Sequence, residues 1–89
     1  MGVYYVYLLQ NSVSKETYIG YTSNIKQRLE RHNGGGKKFT TRKEGVWRLI
    51  YAEIYKSEHD ARKREDKLKH HGSGKHELFK RLRDTLLDT

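Results

Sequence analysis

At 89 residues the chain is expected to form one domain over positions 1–89, with no room for a second core. Hydrophobic residues are only 34% of it, so its seven tyrosines must help to build the interior, and the absence of cysteine excludes disulfides and thiolate metal sites. A net charge of +8, from 19 Lys plus Arg against 11 Asp plus Glu, points to a polyanionic partner, most often nucleic acid, although basicity for solubility alone is the plainer alternative.

No secretory signal is expected at the N-terminus, which lacks a basic region followed by a sustained apolar run. The longest apolar run, Val3 to Leu9, is far too short to span a bilayer. The expectation is a cytoplasmic protein with no membrane association and no evident protein partner. That same run is β-branched and aromatic, which predicts a buried strand. A period of two puts Val3, Tyr5, Tyr7 and Leu9 on one face and Tyr4, Val6 and Leu8 on the other. Asn11 to Glu16 is a polar connection of hairpin length, and Thr17 to Tyr21 reads as a second, antiparallel strand. Gly20 inside a strand costs stability and marks a bulge or a close backbone approach.

Ser23 or Asn24 can cap a helix that runs to about Asn33. Ile25, Leu29 and His32 follow helical spacing along it, and Arg28 and His32, one turn apart, can point the same way. Gly34-Gly35-Gly36 stops this helix and opens a glycine-rich basic stretch to Gly45 that carries Lys37, Lys38, Arg42 and Lys43. Such a loop suits a mobile phosphate contact; a solvated linker is the alternative. Val46 to Tyr55 is the best-defined strand, largely apolar on both faces, and is therefore expected at the centre of the sheet. Ser57 caps a second helix, with Glu58 and Asp60 favouring its dipole, that ends near His71-Gly72. A last helix starts at about Ser73 or Gly74, with Leu78, Phe79, Leu82 and Leu86 as its apolar stripe. Joined across His71 to Gly74, these two helices have the spacing of a helix-turn-helix.

Glu65 is the most informative single residue. It shares i, i+4 and i+7 spacing with Ala61 and Leu68, so the apolar face of a highly charged helix carries a carboxylate. Burying a carboxylate is expensive unless a cation pairs with it. Either Arg28 or another base forms an internal salt bridge to it, or it is a metal ligand beside a site. Magnesium binds through one or two carboxylates and keeps several waters, and with no acidic pair at useful spacing the chain supports at most a one-metal site. Tyr7 and Tyr18, on adjacent strands, are either packing residues or, with a pKa lowered from about 10 by nearby cations, a general base. Arg28, His32 and the loop lysines are the expected source of that field. Arg28 offers a planar fork matched to a phosphate, or is a plain surface arginine. His32 either assists a base or favours the helix dipole. His70, His71 and His76 fit no zinc spacing.

Tyr5-Val6-Tyr7, then Tyr18-Ile19-Gly20, then Arg28 ten positions after Tyr18, resemble the GIY-YIG nuclease domain, and more narrowly its small stand-alone bacterial members. Ala61-Arg62-Lys63-Arg64-Glu65 is similar to the later helix of those members, so the resemblance covers nearly the whole chain. It implies an α+β fold in which a small three-stranded antiparallel sheet is flanked by helices. It also implies metal-dependent hydrolysis of phosphodiester bonds, most readily in DNA and with low sequence specificity. In that scheme Tyr7 is the general base, Tyr18 orients the base or a phosphate, Arg28 stabilises phosphoryl charge, and Glu65 holds one Mg²⁺ or Mn²⁺; His32 contributes beside them. Two departures stand out. Tyr5 replaces the first motif's glycine, and no Asn or Gln follows Asn33, where many nuclease members carry a late amide. The competing reading is a nucleic-acid-binding module that keeps the fold without the turnover.

Overall fold

The structure, a computed structural model, describes residues 2–34, 45–70 and 72–87. The two N-terminal strands form the expected hairpin. β1 (Tyr4–Asn11) and β2 (Thr17–Thr22) pair antiparallel with Tyr5 opposite Thr22, Tyr7 opposite Gly20 and Leu9 opposite Tyr18. Their turn is built by Asn11, whose side-chain oxygen accepts from the N–H groups of Val13 at 2.9 Å and Ser14 at 3.0 Å. Asn24 is the residue that caps α1 (Ile25–His32), its side-chain oxygen accepting from the Gln27 N–H at 3.0 Å.

β3 (Trp47–Tyr55) pairs antiparallel with the other side of β1, and the sheet order is β2-β1-β3. The strand best defined in the sequence is therefore an edge, and the centre belongs to β1. The reason lies in coverage. Val6, Tyr7, Leu8 and Leu9 are each at most 2% exposed, whereas Ile54 of β3 is 65% exposed, so apolar residues on both faces of a strand did not require burial on both. The β1–β3 pairing also slips: Leu8 faces Tyr51 and Leu9 faces Leu49, which leaves Ile50 as the extra residue of a bulge. The bulge reverses the facing. Tyr51, Glu53 and Tyr55 share the face of Val6 and Leu8, while Trp47 and Leu49 share the face of Tyr7 and Leu9.

The hydrophobic core lies on the first of these faces. Val6, Leu8 and Ile19 pack there against Ala61 and Leu68 of α2 (Glu58–His70) and Leu78 of α3 (Gly72–Arg81). The expected single last helix breaks at Leu82 and resumes as α4 (Arg83–Leu87). Only position 71 separates α2 from α3, so the three-to-four-residue turn of a helix-turn-helix does not form. Arg64 fastens α2 to the β3 edge through a bidentate pair with Glu53, Nε to Oε1 at 2.9 Å and Nη2 to Oε2 at 3.0 Å. Tyr51 and Tyr55 donate to the same carboxylate, at 2.5 and 2.7 Å. α1 lies on the opposite face, where the rings of His32 and Trp47 meet at 6.2 Å. The Asn33 side chain ties its end to β3, accepting from the Trp47 N–H at 2.8 Å and donating to the Trp47 carbonyl at 3.1 Å. No helix among the described residues is long and apolar enough to cross a membrane.

Candidate active site

The site forms around Gly20. Gly20 sits on the β2 edge directly opposite Tyr7, and the Tyr7 ring fills the space its missing side chain leaves. A Cβ at position 20 would stand 2.6 Å from the Tyr7 hydroxyl and 3.1 Å from the Tyr18 ring. The glycine is thus a spacer that lets a phenol from the buried central strand reach the sheet edge. Tyr7 itself is only 2% exposed, while Tyr18 is 37% exposed beside it, with ring centres 6.2 Å apart.

α1 supplies the second group. His32 places Nε2 3.5 Å from the Tyr7 hydroxyl and its ring 4.4 Å from that of Tyr18. Burial, and then the charges of Arg28 and Arg31, lower the His32 pKa below 6.5, so the imidazole is neutral at pH 7 and its Nε2 can accept from the phenol. The Tyr7 pKa moves the other way from the sequence-based expectation. Burial raises it above 10, and the neighbouring Tyr18 adds to this, against the lowering effect of the Arg28 charge and its hydrogen bond. The expected cationic field exists in Arg28, but desolvation outweighs it, and Tyr7 rests as a protonated donor.

α2 supplies the carboxylate. Glu65 is less central on its helix than the i, i+4, i+7 pattern suggested. Ala61 and Leu68 point into the core, and Arg64 and Glu65 flank them, one toward β3 and the other toward the β2 edge. Its side chain is 20% exposed and pairs with Lys69, Nζ to Oε2 at 3.2 Å, rather than with Arg28. Tyr18, Gly20, Arg28 and Glu65 line one cleft of about 330 Å³, with Tyr4, Tyr21, Thr22, Ser23 and Glu58 completing it. A larger groove of about 430 Å³ on α2 is lined only by Asp60, Lys63, Arg64, Asp66 and Lys67 and holds none of these groups.

The structure therefore brings together five of the residues singled out in the sequence: Tyr7, Tyr18, Arg28, His32 and Glu65. Lys37, Lys38, Arg42 and Lys43 lie outside the described residues. His70 pairs with Asp66, Nδ1 to Oδ1 at 2.9 Å, on an exposed face away from the cleft. Three participants were not foreseen. Trp47 reaches His32 because of the bulge, for which the sequence has no signal. Lys69 lies four residues after Glu65, a spacing that was legible. Glu58 looked like a dipole residue, yet it accepts from the Tyr21 hydroxyl at 3.3 Å and lines the cleft two turns from Glu65. Two turns is about 10 Å along the axis, so Glu58 and Glu65 are not neighbours at one-turn spacing on the helix face. Among the described residues no group of three or more His, Cys, Asp or Glu could hold a metal. The donor set suits a hard cation held by one carboxylate, with water and phosphate completing its shell.

Residues 3–77 match the GIY-YIG catalytic domain. The chain belongs to the GIY-YIG family. This is a nuclease superfamily, and its two name-giving motifs lie side by side here on β1 and β2. A UPF0213 protein of Staphylococcus haemolyticus is 36% identical over 70 residues, which span 78% of this chain and 83% of that one. Another, from Limosilactobacillus reuteri, is 35% identical over 78 residues, spanning 85% and 80%. The solution NMR structure of the UPF0213 protein BH0048 from Bacillus halodurans superposes with a TM-score of 0.55 at 30% identity, over 90% of this chain and 84% of that one. Within the GIY-YIG family the chain is thus similar to UPF0213 proteins, and its three-stranded sheet with flanking helices agrees with the fold expected from the motifs.

Proposed function

We propose that this GIY-YIG chain is a metal-dependent endonuclease that hydrolyses phosphodiester bonds in DNA with low sequence specificity. The observation that carries the reading is the meeting of three chemistries from three elements around Gly20: the Tyr7 phenol of β1, the Arg28 guanidinium of α1 and the Glu65 carboxylate of α2. A water placed at the Tyr7 hydroxyl gives it a proton while Tyr7 passes its own to the neutral Nε2 of His32. Neither group then needs to start as an anion. The hydroxide oxygen forms the new bond to phosphorus as the bond to the sugar oxygen breaks on the opposite side, and that oxygen takes a proton from solvent. Arg28 donates to the non-bridging oxygens, where charge accumulates. Glu65 would hold one Mg²⁺ or Mn²⁺, which when bound neutralises charge on the leaving oxygen. Tyr18, exposed at the cleft, orients the phosphate or the phenol beside it. Lys37, Lys38, Arg42 and Lys43 would add phosphate contacts.

Glu65→Ala separates this reading from a binding module of the same fold. A binder has no use for a carboxylate at a phosphate cleft, so the variant should bind duplex DNA as well as or better than the parent while its cleavage disappears. Retained cleavage would remove Glu65 from the metal site. A parent that binds duplex but never cuts it would leave only the binding module.

A further inference from the structure

Lys69 engages two groups of the cleft at once. Its ammonium lies 3.2 Å from Glu65 Oε2 and 5.4 Å from the centre of the Tyr18 ring. An ordinary i, i+4 pair on a helix surface turns its lysine to water. Here the lysine crosses from α2 to the β2 edge, where an aromatic face holds it beside the carboxylate. We propose that Lys69 is a tethered cation that occupies Glu65 until a divalent metal takes its place, and that then moves to the nucleic-acid phosphate. This rests on the reading of Glu65 as the metal ligand.

The physical argument is one of charge. A carboxylate left bare in the cleft would repel an incoming phosphate, and Glu58 lines the same space. An ammonium on a flexible four-carbon stem cancels that charge and can change partners by rotamer rotation alone. It also competes with the metal for the same oxygen, so metal binding without nucleic acid is weak. A phosphate that accepts Lys69 releases Glu65, and the metal then binds more tightly. By linkage, metal and nucleic acid each strengthen the binding of the other.

The test uses paramagnetic broadening of amide NMR signals around Glu65 during Mn²⁺ titration, in the parent, Lys69→Met and Glu65→Gln. Methionine keeps the stem and removes the charge. Lys69→Met should reach half-broadening at about one fifth of the parent's Mn²⁺ concentration, and Glu65→Gln should show no local broadening. If Glu65→Gln loses broadening but Lys69→Met matches the parent, the metal site stands and the role of Lys69 is overturned. If Glu65→Gln broadens like the parent, the metal reading itself fails and takes the proposal with it. A second arm measures duplex affinity in saturating Ca²⁺. Lys69→Met should bind more weakly, with a salt slope shallower by about one; equal affinity and slope would overturn the transfer to phosphate.

Discussion

Gly20 shows how one absent side chain sets the chemistry at the residue scale. Position 20 was recognisable from sequence as a point of close approach. What approaches it was not, because only the strand register puts Tyr7 opposite. Gly20→Ala places a methyl 2.6 Å from the Tyr7 hydroxyl, so the buried ring must shift. It should lower kcat by about 100-fold and destabilise by about 1–3 kcal/mol; thermal melts and single-turnover kinetics report the two. Tyr7→Phe removes only the hydroxyl, so kcat should fall by about 100-fold or more with a stability change near 1 kcal/mol. Unchanged turnover would remove Tyr7 from proton transfer. The His32 protonation state gives the pH dependence. Burial, then Arg28 and Arg31, depress its pKa, so the accepting form persists at pH 7 and turnover is lost as pH falls through a midpoint below 6.5. His32→Gln should flatten that acid limb. At Tyr7 the burial that the strand pattern predicts outweighs the charge of Arg28, a balance that depends on distances absent from the sequence.

Among the elements, the hairpin and α1 were legible because alternation, turn residues and capping all agreed. β3 was not placed correctly. Its apolar residues on both faces imitate a central strand, and the bulge at Ile50 divides them between the core and the α1 face. That division carries Trp47 to His32, so the irregularity contributes to the site. α2 was read correctly as the bearer of Glu65, but its attachment depends on Glu53, which no motif marks. Burial pushes the Glu53 carboxyl up, but the hydrogen bonds from Arg64, Tyr51 and Tyr55 outweigh this and hold it below 4.5. Burial and the same carboxylate push the Tyr55 phenol up to about 12, so it remains a donor. A depressed carboxyl contributes stability that is complete above its unfolded pKa and lost as pH falls through the folded one. Melting temperature should therefore hold from pH 7 to about pH 5 and decline in more acid solution, and Glu53→Gln should lessen the decline. With Glu53 and Arg64 partly exposed, at 16% and 29% of their side chains, Glu53→Gln should cost about 1 kcal/mol at pH 7. A loss of active-site signals in NMR spectra of that variant would show that the Arg64–Glu53 clamp also fixes the position of Glu65.

For the molecule as a whole, a net charge of +8 on a small domain makes association with DNA electrostatic. Affinity should fall linearly with salt on logarithmic axes through counterion release, and Arg28→Gln should reduce the slope by about one. A slope near zero would contradict a surface that follows phosphates. The charge was readable from composition alone; the assembly of one cleft from β1, β2, α1 and α2 required the fold. The most direct test of that assembly is a cleavage assay on supercoiled plasmid and branched DNA with Mg²⁺ or Mn²⁺, alongside EDTA and the Glu65→Ala variant. Hydrolytic nonspecific cutting is expected with metal, and none with EDTA or the variant. Cutting that survives both, or salt-sensitive binding without any cutting, would contradict a nuclease centred on Tyr7, Arg28 and Glu65.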